Sequence, residues 1–250
     1  MAGNNSAPKV FLLLFTIILF LSGCTFEEPK AGFIGDVNAM KFGKVDFKTQ
    51  DGFTIKGNML RGGKEAVLML HQFALEKSTY DGLARKLADK NFTALAIDLR
   101  GHGESLEQNG VRRSFADFSD GDFRDMQKDV AAAKKFLERE GFTLKAIVGS
   151  SIGANTALNY AAADPSVEKI VLLSPGLDYK GIDAGKSAKN VRSQALIVAD
   201  PADSYSYASS KSLLSSIQGS KFVEMRDAGH GTGMFAGTNL ENELVAWLTS

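Results

Sequence analysis

Lys145-Ala146-Ile147-Val148-Gly149-Ser150-Ser151-Ile152-Gly153-Ala154-Asn155-Thr156-Ala157-Leu158 is the stretch on which the fold turns. Ala146 to Val148 is a short, continuously apolar run, as a strand covered on both faces requires. Residues 153–163 are rich in alanine and read as a helix. Between the two lies Gly149-Ser150-Ser151-Ile152-Gly153, a G-x-S-x-G pattern in a strand–turn–helix setting. A turn this tight presses strand and helix together, so the two glycines remove side chains that would collide. Ser151 is then held at the tip with its hydroxyl exposed. Ser150 is the competing hydroxyl, but the glycine spacing selects Ser151. Taken alone, the pattern also fits a glycine-rich turn with an incidental serine; the strand before it and the helix after it give it weight.

Working outward, strands and helices alternate. Residues 45–47 and 54–58 flank Gln50-Asp51-Gly52 and read as an opening hairpin. Short apolar runs at 66–70, 93–97, 145–148, 170–173, 195–199 and 222–225 read as buried strands. Helical spacing marks 78–91, with Ser78 as the expected N-cap, and 122–139, with Gly141 as the stop. Further helices are expected at 209–217 and 240–248. The pattern predicts an α/β domain over 44–250, a mostly parallel, doubly wound, eight-stranded sheet with helices on both faces.

A serine hydroxyl needs a base to take its proton. Only three histidines are present, His71, His102 and His230, and in strand–turn–helix sites of this kind the chain order is Ser, then acid, then His. That order leaves His230, in Asp227-Ala228-Gly229-His230-Gly231 just past the last strand. A surface histidine without a role is the alternative. The imidazole in turn needs a carboxylate to fix its tautomer. Asp200 and Asp203 both follow the strand 195–199. Asp200 abuts the strand end, where it would support the loop; Asp203 lies far enough out to swing toward His230 and is favoured.

Composition narrows the remaining classes. Hydrophobic residues make up 44% of the 250 and charged residues 23%, a globular balance. The formal net charge is zero, so nothing suggests a nucleic-acid partner. One cysteine excludes an internal disulfide and a Cys-based zinc site. No H-E-x-x-H, P-loop or dinucleotide fingerprint is found, so neither a metal nor a cofactor is implied. The N-terminus reads separately. Residues 10–21, VFLLLFTIILFL, contain only Thr16 as a polar residue and are short for a membrane span. They lead into Leu21-Ser22-Gly23-Cys24. This resembles the lipobox of bacterial-type lipoproteins, which implies a signal peptide over 1–23, a lipidated Cys24 anchored at the extracytoplasmic face of the cell membrane, and a tether over 24–43. An uncleaved N-terminal anchor is the alternative.

Beyond the elbow, Asp98-Leu99-Arg100-Gly101-His102-Gly103-Glu104-Ser105 is similar to the D-x-R-G-H-G-x-S turn of many α/β-hydrolases, and Asp200-Pro201-Ala202-Asp203 is similar to their G-x-x-D loop. The chain resembles the α/β-hydrolase superfamily over about residues 45 to 250. The resemblance implies a structural role for His102 and puts Asp203 at the acid position. It also aligns His71-Gln72-Phe73 with the His-Gly-x oxyanion segment, Gln72 departing from glycine. By this correspondence the oxyanion donors are the backbone N–H groups of Phe73 and Ile152, and His71 is either an orienting or a buried structural residue. Residues 175–194, where many relatives insert a cap, are too few for a cap domain. Phe115, Phe118 and Phe123 are candidates to line an acyl pocket. The implied activity is hydrolysis of a small-molecule carboxylic ester by Ser151, His230 and Asp203 through an acyl-enzyme. A thioesterase, a peptidase, or a non-catalytic anchored binding protein of the same fold are the alternatives.

Overall fold

The computed structural model describes residues 1–3 and 41–250, so the expected leader, Cys24 and most of the expected tether lie outside the described residues. The backbone of the domain is a sheet whose eight long strands are β1 (Gly43–Lys48), β2 (Phe53–Leu60), β3 (Glu65–Leu70), β4 (Thr93–Ile97), β5 (Thr143–Ser150), β6 (Lys169–Leu173), β7 (Gln194–Ala199) and β8 (Lys221–Glu224). Their order across the sheet is β1-β2-β4-β3-β5-β6-β7-β8. β2 runs antiparallel to β1 and β4, and all other neighbours among the eight are parallel. A small hairpin, Glu107–Gln108 with Val111–Arg112, pairs with Phe53 and Thr54 of β2 and brings the strand count to ten rather than eight. Two-residue strands rich in polar side chains carry no periodicity to read, which is why sequence missed them.

Alternation along the strands sorts the core into two faces. Leu68, Leu70, Ile147, Ile170, Leu172 and Ile197 pack under α3 (Met126–Arg139), α4 (Ile152–Ala163) and α6 (Ser204–Ser216). Val67, Met69, Val148, Val171, Leu173 and Val198 pack under α1 (Asp81–Asp89) and α7 (Leu240–Leu248). The alternation slips once in β5. Ala66 pairs with Leu144 but Val67 with Ala146, so Lys145 is an extra residue, and the bulge keeps Ile147 and Val148 on their proper faces.

Three helix boundaries differ from the reading of the sequence. Residues 77–80 form a 3₁₀ turn, and α1 begins only at Asp81; Ser78 bonds to Glu76 Oε1 at 2.7 Å instead of capping the helix. The long helix expected at 122–139 is two, α2 (Asp120–Arg124) and α3, divided at Asp125. Ser119 and Asp122 close a capping box at the start of α2, an entry signal ahead of the apolar run. α6 starts at Ser204, five residues earlier than expected, because its first two turns are serine- and tyrosine-rich and show no apolar stripe. Gly141 does end α3, with φ +84°, the left-handed conformation that glycine accepts freely. In the expected cap position, residues 178–183 form a second hairpin, followed by α5 (Ala184–Ser187) and a 3₁₀ turn. No helix among the described residues is long and apolar enough to cross a membrane.

Candidate active site

The elbow is built by steric exclusion. Ser151 sits between β5 and α4 at φ +54°, a left-handed conformation costly for a residue with a side chain, and its amide donates to Leu173 O at 2.8 Å. A Cβ on Gly149 would run into the carbonyl of Gly153, and one on Gly153 into the carbonyl of Leu70. Neither position tolerates any other residue without moving backbone, which is the physical content of the G-x-S-x-G pattern.

Asp203 and His230 come together. The loop after β7 holds Asp203 at the N-terminus of α6, a place where an aspartate ordinarily caps the helix. Its carboxylate does not cap; Asp203 Oδ2 accepts from His230 Nδ1 at 2.5 Å. With Nδ1 as donor, Nε2 keeps its lone pair and is the nitrogen available to a hydroxyl. Asp200 is occupied otherwise. Its carboxylate accepts the amides of Ala202 (2.8 Å), Ala228 (2.6 Å) and Gly229 (3.0 Å), bonds that hold its pKa below the usual aspartate range. Asp200 thereby ties the loop carrying Asp203 to the loop carrying His230. The His230 loop also packs onto the elbow. Gly231, at φ +61°, donates its amide to Ser174 Oγ at 2.9 Å, and a Cβ there would overlap Ser150 Oγ and Gln72 Oε1.

Gln72 is the hub of this convergence. Its Oε1 accepts from Ser150 Oγ (2.9 Å), Thr232 N (2.9 Å) and Thr232 Oγ1 (3.2 Å). One side chain thus joins the 71–73 segment, the elbow and the His230 loop. His71, fully buried, accepts from Leu99 N at Nε2 (3.0 Å), so its proton is on Nδ1 and goes to Gln72 O (2.8 Å). Burial pushes its pKa down to about 4. Because a trans peptide sets C=O and N–H on opposite sides, pinning the Gln72 carbonyl also fixes the direction of the Phe73 amide. That amide has no protein partner among the described residues. Ile152 is the first residue of α4, and its amide lacks an intrahelical acceptor.

Around this centre, the Phe73 ring meets Phe115 at 4.9 Å and Phe123 at 6.0 Å between centroids. Phe118 stands one layer back, against Phe53 and Phe123. The Tyr179 hydroxyl, from the hairpin 178–183, lies 2.9 Å from Ser206 Oγ and within reach of the Ser151 hydroxyl and the Asp203 charge; burial raises its pKa. A cavity of about 950 Å³ opens elsewhere, between the β1–β2 turn, α3 and α4, and includes none of these residues. Gln72, Ser174 and Tyr179 were not singled out from sequence as site-building side chains. The one available signal was Gln72, a polar residue where related segments carry glycine.

The family model for serine aminopeptidase, S33 (Hydrolase_4), matches residues 62–219. An uncharacterized protein of Mycobacterium tuberculosis is 30% identical over 133 residues, 53% of this chain and 35% of that protein. Monoacylglycerol lipase abhd6-B of Xenopus laevis is 33% identical over 122 residues, 47% of this chain and 33% of that protein. The matched stretch thus spans about a third of these relatives. An esterase from Exiguobacterium antarcticum superposes with a TM-score of 0.68 at 15% identity, covering 83% of this chain and 100% of that one, which shows a common fold.

Proposed function

The chain belongs to the serine aminopeptidase S33 (Hydrolase_4) family of α/β-hydrolases, and on that footing we propose that it is a serine hydrolase acting on carboxylic esters. The observation that carries the reading is the 2.5 Å bond from His230 to Asp203, made by two loops that converge on the glycine-locked elbow of Ser151. In the proposed reaction His230 Nε2 takes the Ser151 proton as Oγ attacks the ester carbonyl. Asp203 stabilises the imidazolium, and the Phe73 and Ile152 amides receive the oxyanion. His230 then returns the proton to the leaving alcohol. Water attacks the acyl-enzyme by the same route, releasing the acid. Each amide donor aimed at the oxyanion contributes on the order of 3 kcal/mol. Esters are favoured over amides by the lipase relative; the family's peptidase name makes aminoacyl anilides the comparison substrate.

The test is covalent. A fluorophosphonate should add to Ser151, located by peptide mass spectrometry, and Ser151→Ala should lose both the adduct and ester turnover. An adduct on Ser150, or no adduct at all, overturns the proposal. The same reading includes an anchor through a lipidated Cys24 at the extracytoplasmic face, supported by the Leu21-Ser22-Gly23-Cys24 sequence alone. Cys24→Ser should abolish incorporation of labelled fatty acid; persistence of the label refutes the anchor.

A further inference from the structure

The hairpin 178–183 turns through Lys180 and Gly181, both at positive φ (+54° and +76°), between paired Tyr179 and Ile182. This is a two-residue turn of the kind that favours Asn, Asp or Gly at its first centre. A lysine there is strained, and the strain is maintained by its surroundings. Asn155, fully buried in α4 four residues after Ser151, accepts from Gly176 N at 3.1 Å and donates to Ile182 O at 2.8 Å. Tyr205 of α6 bonds both the carbonyl (2.8 Å) and the amide (3.2 Å) of Asp178, whose carboxylate accepts from Gly181 N at 2.8 Å. The hairpin is thus bolted to the helix that carries the nucleophile.

Two of its side chains, Tyr179 and Lys180, reach residues of the candidate site. Tyr179 reaches toward Ser151 and Ser206. Lys180 holds its ammonium 5.0 Å from the Phe73 ring centroid and 5.7 Å from the Phe123 ring centroid, and makes no ion pair with any described residue. Phe73 is the proposed oxyanion residue, and it is 37% exposed, a large apolar side chain open to solvent. A cation over aromatic faces has part of its hydration removed and keeps donors free for an anion. The exposed Phe73 and the half-buried Phe115 beside it suit methylene groups; the ammonium over the Phe73 ring suits a carboxylate.

Resting on the serine-hydrolase reading, we propose that Lys180 forms an anion-binding subsite, and that the preferred substrates are esters whose short acyl chain ends in a carboxylate. The test compares monoethyl glutarate with ethyl valerate, esters of matched acyl length that differ in charge. The wild-type chain should favour the glutarate ester in kcat/KM. Lys180→Met should lower the glutarate-to-valerate ratio about tenfold, as loss of one charge-assisted contact implies, and Lys180→Arg should retain it. In parallel, glutaramate should protect Ser151 from fluorophosphonate better than the uncharged valeramide does, in the wild type and not in K180M, a readout independent of ester turnover. No preference in the wild type, or a ratio and protection unmoved by K180M, overturns the subsite. Failure of Ser151 to label at all is a different result and overturns the serine-hydrolase reading itself.

Discussion

Two regions at the C-terminal edge of the sheet combine acids, bases and histidine, and they differ in what is left unpaired. In the turn from Asp98 to Ser105, Asp98 accepts from Lys77 Nζ at 2.6 Å and from the amides of Lys77 and Glu104 at 2.8 Å each. Arg100, 1% exposed, is held by Asp129 and Asp51, and Ser105 Oγ closes the turn on Asp98 O at 2.8 Å. His102 donates from Nδ1 to Arg100 O and stacks on Phe115 at 4.3 Å. Apart from His102 Nε2, which is buried without a partner, these side chains spend their hydrogen-bonding groups inside the protein. Around His230 the balance is reversed. Its side chain is 37% exposed, one nitrogen is committed to Asp203, and the other makes no hydrogen bond to a described residue. Buried networks with satisfied partners fix a shape, whereas a half-exposed pair with one open position can exchange a proton. The same residue types therefore mean structure in one loop and, on the proposed reading, chemistry in the other.

The sharpest way to break this contrast is to exchange the roles of the two loop aspartates. Asp203→Asn should keep the thermal midpoint and lower turnover by roughly 10⁴, the cost of a mis-set imidazole tautomer. Asp200→Asn should lose far less activity and more stability, since three amides lose a carboxylate acceptor. If esterase assays and melting curves give the reverse order, the assignment of the acid fails.

On the structural side, Arg100→Met should destabilise by about 3–5 kcal/mol, because Asp129 is left as an uncompensated buried charge. Urea unfolding measures it, and a loss under about 1 kcal/mol would show that the network is not what holds this edge.

The buried histidine separates the regions by pH. His71 titrates near 6.5 when unfolded and near 4 when folded, so between these values the unfolded chain binds the extra proton. Stability is full above pH 6.5 and falls as pH drops toward 4, by on the order of 3 kcal/mol. Burial shifts His102 in the same direction. His71→Asn should flatten the slope of the urea midpoint over that window; an unchanged slope would move the acid sensitivity to other groups.

The smallest effect tests the hub. Gln72→Met leaves Ser150 Oγ and Thr232 N–H without their acceptor, at about 1–3 kcal/mol. The loss should show chiefly in kcat, because the elbow and the His230 loop lose their common tether. A variant with wild-type kcat and midpoint would reduce Gln72 to a spacer.

Parts of this architecture were legible in one dimension. Gly149, Ser151 and Gly153 are constrained by atoms a few residues away or by the strand they flank, so the local pattern carried their geometry. The apolar runs of β3 to β7 were equally plain, because strands covered on both faces have little choice of residue. Asp203 and Asp200 could be ranked from their distance to the strand end, but not from sequence alone settled, since both are aspartates in one short loop.

What the sequence by itself determined is the strand–turn–helix alternation and the elbow, both of which rest on periodicity and on steric exclusion between near neighbours. Only the tertiary structure decided that Gln72 bonds Thr232, 160 residues on, that Ser174 holds Gly231, 57 residues on, and that a strained turn sets Lys180 over Phe73. The physical reason is one of range. A hydrogen bond or ring contact between loops depends on where the parallel strands deliver them, and side chains that meet only at the common edge of a sheet leave no periodic trace along the chain.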